Sequence, residues 1–161
     1  MVIVIKPHIQ GALISIGIAL LTGLLSALLS GGQRELYQTL IQPPFAPPAW
    51  LFGVVWTILY ILMGIASYLI YISDAKPSAK TAALCLYALQ LFVNFSWSIV
   101  FFRFQEYGWS VVVLALLLFL VALTMMLFFP INRPAAYLLI PYFLWLLIAY
   151  YLNIGVFLLN R

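Results

Sequence analysis

Five apolar runs, each about long enough to cross a bilayer, constrain this chain more than any other feature. They fall at 9–30, 50–72, 80–102, 109–129 and 135–158, and none contains an aspartate or glutamate. A membrane helix takes roughly 20 apolar residues, so a chain of 161 residues has room for five and little else. With 67% hydrophobic and 6% charged residues, it has too little polar surface to cover a water-soluble fold. The expected class is an all-α integral membrane protein, a single domain (1–161) with five transmembrane helices and lipid bilayer as its solvent.

Short connections at 73–79, 103–108 and 130–134 make sequential helices antiparallel neighbours. Five is odd, so the termini fall on opposite sides of the membrane. The exception is the connection 31–49, with Pro43, Pro44, Pro47 and Pro48. Few backbone donors and a narrow range of φ predict a semi-rigid, extended cover there. The first run carries Gly11, Ser15, Ala19, Gly23 and Ala27 at four-residue steps. These line up as a smooth groove for another backbone, from this chain or from a second copy.

Trp50 and Trp109 open their spans and read as interfacial anchors. Trp56 and Trp145 do not: at 1.5 Å per residue they stand about 9 Å beyond Trp50 and about 15 Å into the fifth span. An indole N–H at that depth needs an acceptor that water does not supply. In the third span Gln90, Asn94, Trp97 and Ser98 share one helical face, continued by Phe101. Such amides either join helices to one another or face an internal cavity. The second span offers Trp56, Tyr60 and Gly64, and the fifth offers Trp145, Ala149, Leu152 and Asn153. Pro141 predicts a kink in the fifth helix, with space opening beside it. Together these stripes suggest an aromatic cavity with a small polar patch, closed at one end by the proline segment.

Absent chemistry narrows the function. Without carboxylates in the spans there is no proton relay of the kind driven transporters use. The basic residues are scattered singly, unlike a nucleic-acid-binding stripe, so nucleic acid is not an expected partner. His8 stands alone at the membrane edge, so no metal site is expected. No serine, histidine and acid combine as a hydrolytic triad. Cys85 cannot form an intrachain disulfide and reads as a small buried hydrophobe.

Four stretches, Tyr37 to Ala66 (YQTLIQPPFAPPAWLFGVVWTILYILMGIA), Gln90 to Phe102 (QLFVNFSWSIVFF), Gly108-Trp109 and Leu138 to Asn153 (LLIPYFLWLLIAYYLN), resemble the translocator protein family. Its members are also called tryptophan-rich sensory proteins or peripheral benzodiazepine receptors. The resemblance spans nearly the whole chain and is to a bacterial member, which implies residence in a bacterial cell membrane. It further implies a commonly dimeric five-helix protein that binds porphyrins and flat hydrophobic drugs and, in animals, cholesterol. Some bacterial members degrade protoporphyrin IX in light. By motif position, the implied pocket comprises Phe52, Trp56, Asn94, Trp97, Ser98, Trp109, Trp145, Ala149 and Leu152, closed by Ser26, Leu29, Pro47 and Pro48. Tyr60 joins it from the residue pattern. Trp56 and Trp145 match the pair connected with the light reaction, while for Trp109 the pocket role competes with the anchor reading.

The chain departs from the family pattern at Leu36, Gln42 and Phe45, where tryptophan, lysine and tryptophan are common. Together these departures weaken the expected capture of an anionic propionate by the loop. An acid often found near Val113 is missing, and no basic residue follows Tyr150 or Tyr151 closely enough for the cholesterol pattern. The expected function is a membrane-embedded binding protein for porphyrin-like tetrapyrroles, with light-dependent porphyrin degradation as an attached activity. No cofactor is called for beyond the porphyrin as ligand. The alternative is a passive carrier of lipophilic metabolites across the membrane.

Overall fold

The computed structural model describes residues 7–160, with side chains from residue 9 onward, so the side chain of His8 lies outside the described residues. The elements are α1 (Pro7–Ser30), α2 (Gln33–Thr39), α3 (Ala49–Tyr71), α4 (Pro77–Ser98), α5 (Tyr107–Phe128), α6 (Arg133–Leu138) and α7 (Ile140–Leu159), with a π-helical turn, Ile99–Arg103, ending α4. Five helical stretches are long and apolar enough to cross a membrane: α1, α3, α4 with its π turn, α5, and α6 with α7. They match the five runs of the sequence to within a few residues. The molecule is an all-α integral membrane protein whose first and last helices begin and end on opposite faces.

Outward-facing residues are themselves apolar, among them Leu13, Ile18, Leu28, Phe92, Phe119 and Met126. Such a surface is stable only against hydrocarbon. Cys85 belongs to it, being exposed on α4 where a buried position was expected. Its neighbours Ala83, Tyr87 and Leu91 face inward and Cys85 sits between them on the other side of the helix.

Of the small residues in α1, three face α3 or the core. Gly11 lies against the ring of Tyr68 and Gly23 against that of Tyr60, while Ala19 is fully buried. From the other side, Gly64 of α3 lets the backbone of Ile16 approach. The groove is met from within the chain at Gly11, Ala19 and Gly23, while Ala27 stays exposed, and α1 with α3 is the most extensive helix pair. Next in extent come α4 with α5 and α5 with α7. By contrast α3 and α4, although joined by a short connection, touch each other sparingly, and α1 packs against both.

The fifth span breaks at Leu139, with Pro141 in the first turn of α7. That is where a missing N–H costs least. The expected space beside this break is filled: Leu139 and Tyr142 are buried there.

Nor is the 31–49 connection extended throughout. Gly31 takes a left-handed φ of 63°, ending α1, and α2 follows directly. The stretch after α2 is clamped to α7: Tyr151 donates to the Pro44 carbonyl at 2.9 Å, Asn160 exchanges two hydrogen bonds with the backbone of Ile41, and Pro43 nests on Gly155.

Gly64→Val places a side chain against the Ile16 backbone and should cost about 1–3 kcal/mol. Gly17→Ala, with open space around it, should be neutral or slightly stabilising. Thermal unfolding of both variants in detergent micelles checks the contrast.

Candidate functional site

A partly enclosed hollow of ≈ 730 Å³ lies where α3 and α4 part beneath α2. Four elements wall it. From α1 come Leu20, Gly23, Leu24 and Ala27, and from α2 Gln33, Arg34 and Tyr37. The α3 wall holds Trp50, Phe52, Gly53, Trp56, Thr57 and Tyr60, and Trp97, Ser98 and Phe102 complete the enclosure from α4 and its π turn. Ala49 to Tyr60 spans 11 helical steps, so the hollow reaches about 16 Å along α3 from the membrane boundary.

Its aromatic walls are fixed from behind. Trp56 stands 5.6 Å from Tyr60 with rings inclined by 31°, and 6.1 Å from Tyr142 edge-on. The Tyr60 hydroxyl donates to Asn94 Oδ1 at 2.7 Å, Asn94 Nδ2 donates to the Tyr142 hydroxyl at 2.7 Å, and that hydroxyl donates to Gln90 Oε1 at 3.0 Å. Opposite, Trp97 Nε1 donates to Asn153 Oδ1 at 2.9 Å, and Asn153 Nδ2 in turn reaches Ser110 Oγ at 2.8 Å. Of the two roles left open for the buried amides, the structure gives Asn94 and Asn153 the joining of helices. Neither lines the large hollow.

The π turn has its own part in this geometry. Phe104 N–H reaches the Ile99 carbonyl, an i→i+5 bond, which inserts an extra residue into the turn. Phe101 is buried in the core 5.6 Å from Trp97 while Phe102 lines the hollow. The same turn places Arg103 so that Nη1 donates to the Leu29 carbonyl at 3.0 Å, tying α4 to the end of α1.

Five residues expected from the sequence meet at this hollow: Phe52, Trp56, Tyr60, Trp97 and Ser98. Ala149 and Leu152 line a separate void of ≈ 20 Å³ together with Asn153, sharing the Tyr37, Phe52, Trp97 and Phe102 side chains with the large one. Trp145 stands behind Phe52, ring centroids 5.6 Å apart and edge-on, its buried Nε1 without a hydrogen-bond partner among the described residues. Ser26 is buried and donates to the Phe95 carbonyl, Leu29 is exposed, and Pro48 caps α3. Pro47 accepts the Tyr37 hydroxyl at 2.9 Å. Trp109 is 67% exposed on the outer surface of α5, the position of an anchor.

Several lining residues escaped the sequence reading. Gly23 and Ala27 were legible as a groove and Trp50 as an anchor, yet each also borders the hollow. Gln33 and Arg34 gave no signal, because a seven-residue helix inside a proline-rich connection has no periodicity long enough to read, and Tyr37, although it opens one of the family-like stretches, was not read as a wall.

Residues 14–159 match the model of the TspO/MBR family. The chain belongs to that family. The tryptophan-rich protein TspO of Chlorobaculum tepidum is 40% identical over 124 residues, 77% of this chain and 78% of that one. The translocator protein of Bos taurus is 38% identical over 136 residues, 83% and 80% of the two chains. A tryptophan-rich sensory protein of Cereibacter sphaeroides is 35% identical over 126 residues, 78% and 77%. Family membership agrees with the resemblance drawn from the motifs, and the bacterial relatives fit residence in a bacterial membrane.

Asn94→Leu should leave the Tyr60 and Tyr142 hydroxyls short of a partner and lower stability by about 1–2 kcal/mol, measured by unfolding in mixed micelles. Burial raises the pKa of the Tyr37 phenol above the ordinary tyrosine value. The stability it lends is complete below the ordinary value and is lost as pH rises through the raised one. Protection factors of the α2 amides, corrected for the base-catalysed intrinsic exchange rate, should therefore stay flat near neutrality and fall only in strong alkali.

Proposed function

We propose that this member of the family is a membrane-embedded binding protein for flat hydrophobic ligands of the porphyrin kind, with the ≈ 730 Å³ hollow as the binding site. The observation that supports this reading is the pairing of two braced aromatic walls, Trp56 with Tyr60 and Trp97 with Phe102, across one void. Its volume falls within the range of small-molecule sites, roughly 300–1,000 Å³. Small residues on the α1 and α3 sides, Gly23, Ala27 and Gly53, leave the breadth that a planar ring system needs.

Light-dependent breakdown of a bound porphyrin belongs to the same proposal. Of the two tryptophans matched to the light reaction, Trp56 borders the hollow directly, whereas Trp145 stands behind Phe52. A homodimer, implied by the resemblance, would use a surface other than the small-residue groove, which α3 largely occupies.

Titration of the purified protein with protoporphyrin IX, read by tryptophan fluorescence, tests the site. Trp56→Leu should raise Kd about 2- to 10-fold, and Gly53→Trp should fill the hollow and abolish binding. Under illumination, Trp56→Phe should slow bleaching of the bound ring more than Trp145→Phe does. Unchanged affinity in both the Trp56→Leu and Gly53→Trp proteins would falsify the assignment.

A further inference from the structure

We infer that Arg34 makes the hollow an oxyanion-recognition site, so that its preferred occupant is a flat hydrophobic molecule bearing a carboxylate at its edge. The inference rests on the binding reading above and names the ligand class it selects.

The polar side chains around the hollow divide into spent and unspent. Tyr60 donates to Asn94, Trp97 to Asn153, Tyr37 to the Pro47 carbonyl and Thr57 to the Gly53 carbonyl. Arg34, Gln33 and Ser98 line the same void and make no side-chain hydrogen bond or ion pair with any described residue. Of the other described basic side chains, Arg103 is engaged on the Leu29 carbonyl, Lys80 on those of Tyr71 and Ser73, and Arg133 over the Phe129 ring at 5.3 Å, while Lys76, ahead of α4, does not line the hollow. Arg34 is the sole cation among the lining residues, which include no Asp or Glu, and the adjacent Glu35 forms no ion pair with it.

A guanidinium offers a planar fork of donors that matches a carboxylate or phosphate two bonds at a time. Set on α2 at the membrane boundary, it meets the edge of a ligand whose ring plane lies deeper between Trp56 and Trp97. A neutral hydrophobe leaves that fork unused. Two sources could bring the oxyanion, a carboxylate on the ligand or the phosphate of an anionic lipid entering the partly enclosed hollow.

The probes are protoporphyrin IX and its dimethyl ester, titrated into the full chain in phosphatidylcholine nanodiscs. Arg34→Gln should weaken the diacid about 5- to 10-fold, a modest factor because the side chain is solvent-exposed, and leave the ester unchanged. Arg34→Lys should recover part of the loss. Equal weakening of diacid and ester, or weakening of neither, overturns the inference while the binding reading stands. Failure of the unsubstituted protein to take up either porphyrin overturns both. Repeating the titration with phosphatidylglycerol in the discs separates the sources. A drop in diacid affinity that vanishes in Arg34→Gln shows lipid phosphate competing for the same guanidinium, and a drop common to both proteins reflects surface repulsion and leaves the ligand carboxylate as the partner.

Discussion

Hydrocarbon offers no hydrogen bonds, so every polar side chain turned into this bundle must find a protein partner or remain unsatisfied. Two amides organise the answer. Asn94 links α3 to α7 through the hydroxyls of Tyr60 and Tyr142, and Asn153 links α4 to α5 through Trp97 and Ser110. These bonds are directional where the surrounding packing is not, so they set which faces of the helices meet. The hollow lies on the far side of that interior ladder, where α3 and α4 diverge and the small residues of α1 cannot fill the gap.

Tyr60 and Trp97 belong to both systems. Their rings border the hollow while their polar atoms are committed to the ladder behind it. A wall held this way loses little freedom when a ligand arrives, which lowers the ordering cost of binding. Gly23 completes the arrangement, because any side chain there would collide with the Tyr60 ring and push it off Asn94. Packing of α1, the interior hydrogen bonds and the shape of the cavity are therefore one constraint expressed at three places.

Hydropathy made the five spans legible because the cost of a charge in lipid is large. It could not rank the faces of a helix, since lipid and protein interior are both apolar. Cys85 shows the consequence: an apolar run does not say whether a small thiol points in or out. Depth along a helix was legible too, so Trp56 and Trp145 were placed well inside their spans, but Phe52 standing between Trp145 and the hollow depends on rotamers that spacing does not encode. The π turn at Ile99–Arg103 shifts Phe102 toward the hollow against the expected periodicity, and no residue in it announces the extra backbone step. Pro141 did announce its break, and the error lay in assuming that a break leaves a void. In this bundle Leu139 and Tyr142 close it.

The position of the hollow also bears on the choice between holding a ligand and passing it across. A hydrophobic molecule already dissolved in lipid gains little from burial against other apolar groups, so its attraction to the site must come from ring contacts, shape and the few unspent donors. All of these lie at the α2 end. Toward the opposite face the bundle is filled by Met63, Ile70, Leu117, Phe128, Leu139 and Tyr142, each essentially inaccessible. Carriage through the middle would require this packed half to open, breaking close contacts that stabilise the fold and exposing the Gln90–Tyr142–Asn94 bonds. Under the binding reading proposed above, retention at one end needs no such rearrangement, so that reading asks less of the packing that braces the aromatic walls than carriage does.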